Sequence, residues 1–247
     1  LIAPEPSQEM HLRNALQSPS SEHLLGTDNL GRDVLSELIW GARTSVKLAF
    51  TITAAVTAIG VLMGGLSGYF GGWLDLILSR IIDMFLVIPR ILLAIILVAM
   101  LGSSTWNIFI ALTVALWPIM ARLVRAEYLS LKNRPFVEAA RMVGVGHGTI
   151  MFREIFPLVI PIVLVTASFL MAQAILSEAA LSFLGLNDPN VSSWGKLVFN
   201  SQRHLRHAWW MAAFPGIAIA SFCLSLNLIG DALNEVVNPK TARNVNL

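Results

Sequence analysis

The chain has 247 residues, of which 55% are hydrophobic and 13% are charged, and its formal net charge is +2. Soluble domains carry roughly 25% charged residues, so this composition excludes an ordinary soluble domain and indicates a protein that lies in lipid. Cys223 is the only cysteine, which rules out an intrachain disulfide.

Long charge-free stretches predict the membrane-crossing helices. A crossing needs roughly 20 apolar residues to span a hydrocarbon core of about 30 Å. The stretch 91–121 would form a helix of about 46 Å at 1.5 Å per residue, so we expect it to turn back at the LGSST cluster, 101–105. The sequence therefore predicts an all-α polytopic transmembrane helix bundle with five spans, at about 46–69, 80–101, 106–124, 157–181 and 208–231. Residues 1–4 (LIAP) resemble the end of a further span, and we expect a sixth crossing N-terminal to residue 1.

Basic residues predict which side of the membrane each loop occupies. The densest basic stretch lies between the third and fourth spans: Arg122, Arg125, Lys132, Arg134, Arg141 and Arg153. Short basic loops remain on the cytoplasmic side. We therefore expect an extracytoplasmic segment over 1–45 with a short amphipathic helix, a transmembrane domain over 46–231 with a cytoplasmic loop at about 125–156, and a cytoplasmic tail over 232–247.

Signatures of catalysis and of nucleotide binding are missing from the sequence. All five histidines lie outside the predicted spans, so a membrane serine protease would lack its base. Asp83 and Asp231 are the nearest approach to an aspartyl protease pair, but the Gly-x-Gly-Asp signature is incomplete. The only Gly-Lys pair, Gly195-Lys196, is followed by Leu197 rather than by the Ser or Thr of a phosphate loop. We expect no enzyme activity, no metal site and no cofactor in this chain, so any ATP and Mg²⁺ would be bound by another polypeptide.

The polar segment EAARMVGVGHGTIMFREIFP, residues 138–157, predicts a short docked helix. Asn133 can cap such a helix, Pro135 suits its first turn and Gly144 ends it. A helix of about nine residues is marginal alone, so it must pack against something. Its apolar face follows the i, i+3, i+4, i+7 spacing of Phe136, Ala139, Ala140 and Val143. Two surfaces fit this face: a soluble protein partner, or the anionic headgroups of the membrane.

Six segments resemble one family, in the order in which that family carries them. They are LGTDNLGRDVLSELIWGARTSV (25–46), GYFGGWLDLILSRIIDMFLVIP (68–89), EAARMVGV (138–145), ILSEAALSFLGL (175–186), SSWG (192–195) and FPGIAIASFCLSLNLIGDALNEVVNP (214–239). The third resembles the EAA coupling loop of ABC importer permeases. The others resemble the C-type permease subunit of the dipeptide, oligopeptide and nickel subfamily. The sequence departs from the family's Ile-x-Leu-Pro pattern, because Ile155-Phe156-Pro157 stands in its place.

This resemblance implies the ABC importer type I permease fold and a permease subunit that conducts di- or oligopeptides. In that family a loop helix docks on a cytoplasmic ATPase, and the matching positions here are Glu138, Ala139, Ala140 and Gly144. The implied partners are a second permease subunit, two ATPase subunits that bind ATP and Mg²⁺, and an extracytoplasmic solute-binding protein, with no nucleic acid. The implied location is the bacterial or archaeal cytoplasmic membrane. A nickel or metal-chelate importer is the alternative within the subfamily, and an ion-coupled secondary transporter with a midplane site is the alternative from another class.

Three ionisable residues inside predicted spans are candidates for the translocation pathway. Arg90 lies halfway along the second span, where a central arginine costs roughly 2.5–3.5 kcal/mol, and Asp83 lies two turns away on the same predicted face. Glu178 lies toward the outer end of the fourth span. One interpretation is that these residues line a cavity in which Arg90 meets a peptide carboxylate. The other is that Arg90 forms an internal ion pair or extends its side chain toward the cytoplasm.

Overall fold

A computed structural model describes residues 11–237 of the chain. A 3-10 turn at Leu12–Asn14 precedes the helices α1 Val34–Phe70, α2 Gly72–Val87, α3 Arg90–Leu101, α4 Thr105–Leu131, α5 Pro135–Met142, α6 His147–Thr149, a π-helical segment Ile150–Ile155, α7 Phe156–Phe183, α8 Trp194–Ser201 and α9 Trp210–Val237. Four continuous helical stretches are long and apolar enough to cross a membrane, and α2 with α3 brings the number to five if that bent pair counts as one span. The all-α class is confirmed. The expectations for a span before residue 1 and for the tail beyond residue 237 lie outside the described residues.

Two predicted helix boundaries are wrong. Between residues 11 and 70 the predicted amphipathic helix is not separate from the first span, because α1 runs without interruption from Val34 to Phe70. Its start is fixed by Asp33, whose carboxylate accepts the Ser36 backbone N–H at 2.8 Å. The second predicted span is also interrupted, because α2 and α3 meet at an angle of 88°. Pro89 disfavours helical backbone in the residue before it, and Ile88 is accordingly extended, with φ −79° and ψ 128°.

One compact unit comprises residues 11–52, 94–112 and 172–225. Its Trp194, at the start of α8, donates its indole N–H to the Leu38 carbonyl at 2.9 Å and its backbone N–H to the Ser45 hydroxyl at 3.0 Å. These two bonds hold α8 against the first turns of α1. A small apolar cluster lies in the same unit and consists of Val34, Ala208, Trp210 and Met211.

The second compact unit comprises residues 53–93, 113–171 and 226–237. Gly60, Gly64 and Gly68 recur every fourth residue along α1, and each lies against α4. A Cβ atom at Gly68 would stand 2.6 Å from the Tyr128 Cβ and 2.7 Å from the Arg125 carbonyl oxygen. Small residues at this spacing let two helix backbones approach closely in lipid. The close packing of α1 against α4 therefore fixes the position of the loop that follows α4.

Candidate functional site

The helix that carries the EAA segment, α5, has a defined end. Pro135 occupies its first turn, as predicted, but its N-cap is Arg134 and no side chain caps it, so the predicted cap at Asn133 is wrong. At the other end Gly144 has φ +81°. The Gly144 N–H donates to the Arg141 carbonyl and the Val145 N–H to the Ala140 carbonyl, both at 3.0 Å. This pair of bonds is the Schellman motif, and it confirms Gly144 as the residue that stops the helix.

The two sides of α5 differ sharply in exposure. Val137 is fully buried and Ala140 is half-buried, whereas Ala139 is exposed. Consecutive helical residues point in directions about 100° apart, so Ala139 lies within the exposed side of α5 and the half-buried Ala140 lies at its edge. Glu138 is also exposed. The exposed apolar face of α5 and its C-terminal turn consists of Phe136 (38% exposed), Ala139, Met142 (84%) and Val143 (79%).

Both tyrosines of the sequence hold the segment around α5 in place. The Tyr69 hydroxyl, at the end of α1, lies 2.9 Å from the His147 Nδ1, and the Arg141 guanidinium lies 5.7 Å from the centre of the Tyr69 ring. Four residues after His147 along the chain, the Met151 carbonyl accepts the hydroxyl of the buried Tyr128 of α4 at 3.0 Å. Sequence reasoning did not identify these residues. The one sequence feature that sets these residues apart is that they are the only two tyrosines among 247 residues.

A charged fork ties α4 to α2. Arg125 donates from Nε to Asp75 Oδ1 at 2.6 Å and from a terminal nitrogen to Asp75 Oδ2 at 2.8 Å. The Ser67 hydroxyl, on α1, donates to the same carboxylate. Bidentate guanidinium–carboxylate pairs fix orientation as well as charge. Asp75 therefore holds the ends of three helices together on the side of this unit that carries α5.

The structure separates the candidate pathway residues Asp83 and Arg90. Asp83 lies on α2 and Arg90 begins α3, so the 88° bend removes the shared helical face on which the predicted ion pair depended. Within residues 11–237 no ion pair within 4.0 Å joins Arg90 to a carboxylate. Asp83 instead lines a cavity of about 390 Å³ together with Arg80, Arg122 and Arg125.

Glu178 lies in the first unit and is enclosed rather than open to a cavity. It is 4% exposed, and its Oε1 accepts the Ser182 hydroxyl at 2.9 Å and the Ser193 hydroxyl at 2.8 Å. Its Oε2 has no hydrogen-bond partner within the described residues. Because Ser193 also caps α8, Glu178 joins the end of α7 to the start of α8. This geometry favours a structural role for Glu178.

The segment before α8 is fixed by a second carboxylate. Asp188 accepts the backbone N–H of Thr105 at 2.9 Å and the Thr105 hydroxyl at 2.8 Å. Burial raises the pKa of Asp188, but these bonds and the N–H of Asn190 outweigh that effect and hold the pKa below its ordinary value. Burial, aided by the charge of Arg32, lowers the pKa of Lys196 in the same region.

The fold is similar to that of solved transporter chains. It matches 81% of this chain to 96% of a chain from the MetNI methionine ABC transporter in its inward-facing conformations, with a TM-score of 0.66 at 19% identity. A chain of an amino acid ABC transporter crystallised with histidines matches over 84% of this chain and 94% of its own length, with a TM-score of 0.58 at 17% identity. The chain therefore shares its fold with these ABC transporter chains.

Sequence comparison assigns the family. Residues 57–243 match the binding-protein-dependent transport system inner membrane component, and the chain belongs to that family. It is thus a multi-pass inner membrane subunit of an ABC importer.

Two curated relatives show how far the similarity extends. The dipeptide transport system permease protein DppC of Alkalihalophilus pseudofirmus is 40% identical over 94% of this chain and 77% of its own length. A Brucella suis protein named as a peptide transport system permease is 40% identical over 93% of this chain and 77% of its own length.

Proposed function

We propose that this chain forms, with a second permease subunit, the membrane pathway of an ABC importer for di- or oligopeptides. The observation that carries the proposal is the exposed apolar face of α5, presented on a short helix with a fixed end. The peptide substrate is supported by the names of the relatives, which refer to dipeptides and peptides. Those names favour peptides over nickel.

The loop around α5 is built to receive a rigid partner. A partner that pushes on a short helix moves the spans only if the helix cannot move independently of those spans. Here Tyr69 of α1 bonds to His147 and Tyr128 of α4 bonds to the Met151 carbonyl, so the segment that follows α5 is held by two spans. A helix that only rests on lipid headgroups has no need of such anchors. We therefore infer that the exposed face of α5 docks on a cytoplasmic ATPase subunit, with Glu138 and Gly144 at the contact.

The division of labour among subunits follows from this proposal. Two ATPase subunits would bind ATP and Mg²⁺, and this chain would carry no cofactor and no catalytic residue of its own. The loop at about 125–156 would lie in the cytoplasm, as its basic residues predict. An extracytoplasmic solute-binding protein would deliver the peptide to the opposite side of the membrane.

Two matched glycine variants test the docking of α5. A Cβ at Gly144 or at Gly146 would meet nothing within 4 Å, but only Gly144 has a positive φ. Gly144→Ala should therefore cost about 1–2 kcal/mol in backbone strain at the end of α5, whereas Gly146→Ala should not. We expect Gly144→Ala and Met142→Asp to reduce co-purification of the ATPase subunits and ATP-driven uptake of a dipeptide. We expect Gly146→Ala to retain both.

Other results would contradict the proposal. The Met142 side chain is 84% exposed. If Met142→Asp retained the ATPase and full uptake, α5 would not be the docking helix. Uptake that follows a proton gradient with no ATPase present would support the ion-coupled transporter. Uptake of Ni²⁺ that dipeptides do not compete for would support the metal importer.

A further inference from the structure

A cavity between α2 and α4 is lined by charged side chains that take no part in the docking of α5. Its volume is about 390 Å³, within the range of roughly 300–1,000 Å³ that small-molecule sites occupy. Ser79, Arg80 and Asp83 line it from α2, and Arg122 and Arg125 line it from α4. Arg122 precedes the end of α4 by nine residues, which places it about 14 Å along the helix from that end. The cavity therefore lies toward the end of α4 that leads into the loop carrying α5, and the side chains of Arg80, Asp83 and Arg122 are exposed there.

Most of these charges have no ion-pair partner in the part of the chain that the structure describes. Arg125 is committed to Asp75 through the fork. Within residues 11–237, by contrast, no ion pair within 4.0 Å involves Arg80, Asp83 or Arg122. Charged residues on membrane helices face a protein interior or a water-filled cavity and pair with other groups there. Two arginines and one aspartate that remain unpaired around one cavity can pair with a guest of both signs.

We propose that this cavity binds one small zwitterion, a peptide whose carboxylate meets Arg80 and Arg122 and whose ammonium group meets Asp83. Guanidinium groups match a carboxylate through paired N–H donors. Because Arg125 directs its hydrogen bonds to Asp75, the oxygens of Asp83 can accept hydrogen bonds from an ammonium group. The inference rests on the proposed function and adds to it a site on this subunit that recognises peptide ends independently of the solute-binding protein.

The experiment uses the assembled importer, with its ATPase subunits but without the solute-binding protein, in lipid nanodiscs. The probes are radiolabelled dialanine, its C-terminal amide and its N-acetyl form. We expect the wild type to bind dialanine and to bind each blocked form roughly ten- to a hundredfold more weakly, since each loses a charge-assisted contact. Arg122→Gln should weaken dialanine binding and reduce discrimination against the amide, because only Arg80 then remains to meet the carboxylate. Asp83→Asn should abolish discrimination against the N-acetyl form.

Control variants separate the site from general damage. Arg122→Lys keeps the charge without the fork and should bind dialanine better than Arg122→Gln does. Arg43→Gln changes an exposed arginine on α1 outside the cavity and should bind as the wild type does. A phosphatidylethanolamine headgroup is a zwitterion as well, so binding is measured in nanodiscs with and without this lipid. We expect the same affinity in both.

Several outcomes would overturn the inference. They are no dialanine binding by the wild type, equal binding of the blocked forms, unchanged binding by Arg122→Gln, or binding that phosphatidylethanolamine abolishes. The last result would make the headgroup the occupant. Dipeptide uptake by the complete importer is measured in parallel. Uptake without binding in the cavity refutes this site alone, whereas absent uptake refutes the proposed function.

Discussion

Gly68→Ala tests the close packing of α1 against α4. The added Cβ would stand 2.6 Å from the Tyr128 Cβ and 2.7 Å from the Arg125 carbonyl oxygen, and ordinary contact begins at 3.4 Å. Neither atom can rotate away, so the helices must separate by about 0.8 Å, the difference between 3.4 and 2.6 Å. Overpacking of this kind costs up to about 3 kcal/mol. Alanine's better helix propensity returns up to about 1 kcal/mol, which leaves a net loss of about 2 kcal/mol.

Gly65→Ala is the matched control for this prediction. Its Cβ would lie 3.4 to 3.7 Å from the ring and hydroxyl of Tyr128, so it gains helix propensity without a clash. At roughly 2–4 °C per kcal/mol for a chain of this size, Gly68→Ala should lower Tm by about 4–8 °C. Gly65→Ala should leave Tm unchanged or raise it. Tryptophan fluorescence during heating in detergent, at one scan rate, measures both. If the two variants melt together, α1 and α4 do not pack as described.

Three further variants test the contacts around the loop and the segment before α8. Tyr128→Phe leaves the Met151 carbonyl without its donor, and at about 1–2 kcal/mol it should lower Tm by roughly 2–8 °C; an unchanged Tm would contradict a buried bond. Tyr69→Phe removes the contact to the exposed His147, so the rate of ATP-driven uptake should fall while Tm changes little. A lower Tm with unchanged uptake would refute a coupling role. The pKa of Asp188 lies below its ordinary 3.8, so its contribution to stability is complete above pH 3.8 and is lost as the pH falls through the lowered value. Melting curves of Asp188→Asn should therefore depend less on acid than those of the wild type, and parallel pH profiles would contradict this.

The membrane helices could be predicted because apolar length is a local property of the sequence. The break at Pro89 was local too, but the predicted crossing at 80–101 had the length of one span, and this outweighed the constraint that proline imposes on Ile88. In α1 the error is the opposite one, because a helix boundary was predicted where the helix continues. The charge of Lys47 and Arg43 suggested a boundary near residue 45, yet α1 passes through it, because nothing there breaks a helix.

Only part of the site could be predicted from the sequence. Gly144 was predictable as a helix stop, because a positive φ at a helix end is a position that glycine fills. The faces of α5 were not predictable, because eight residues fit several apolar stripes and only packing showed that Val137 is buried. The partners of Tyr69 and Asp75 lie 78 and 50 residues away in the chain. No local pattern encodes such a contact.

These distant contacts form a continuous mechanical path within the second unit. A partner that displaced α5 would pull on Tyr69 through His147 and on Tyr128 through the Met151 carbonyl, and so on α1 and α4 together. Because α1 and α4 pack closely through glycines, they would move together. The Arg125–Asp75 fork then passes that movement to α2, which carries Asp83 on the cavity wall. Docking at α5 would in this way reshape the cavity without any further moving part.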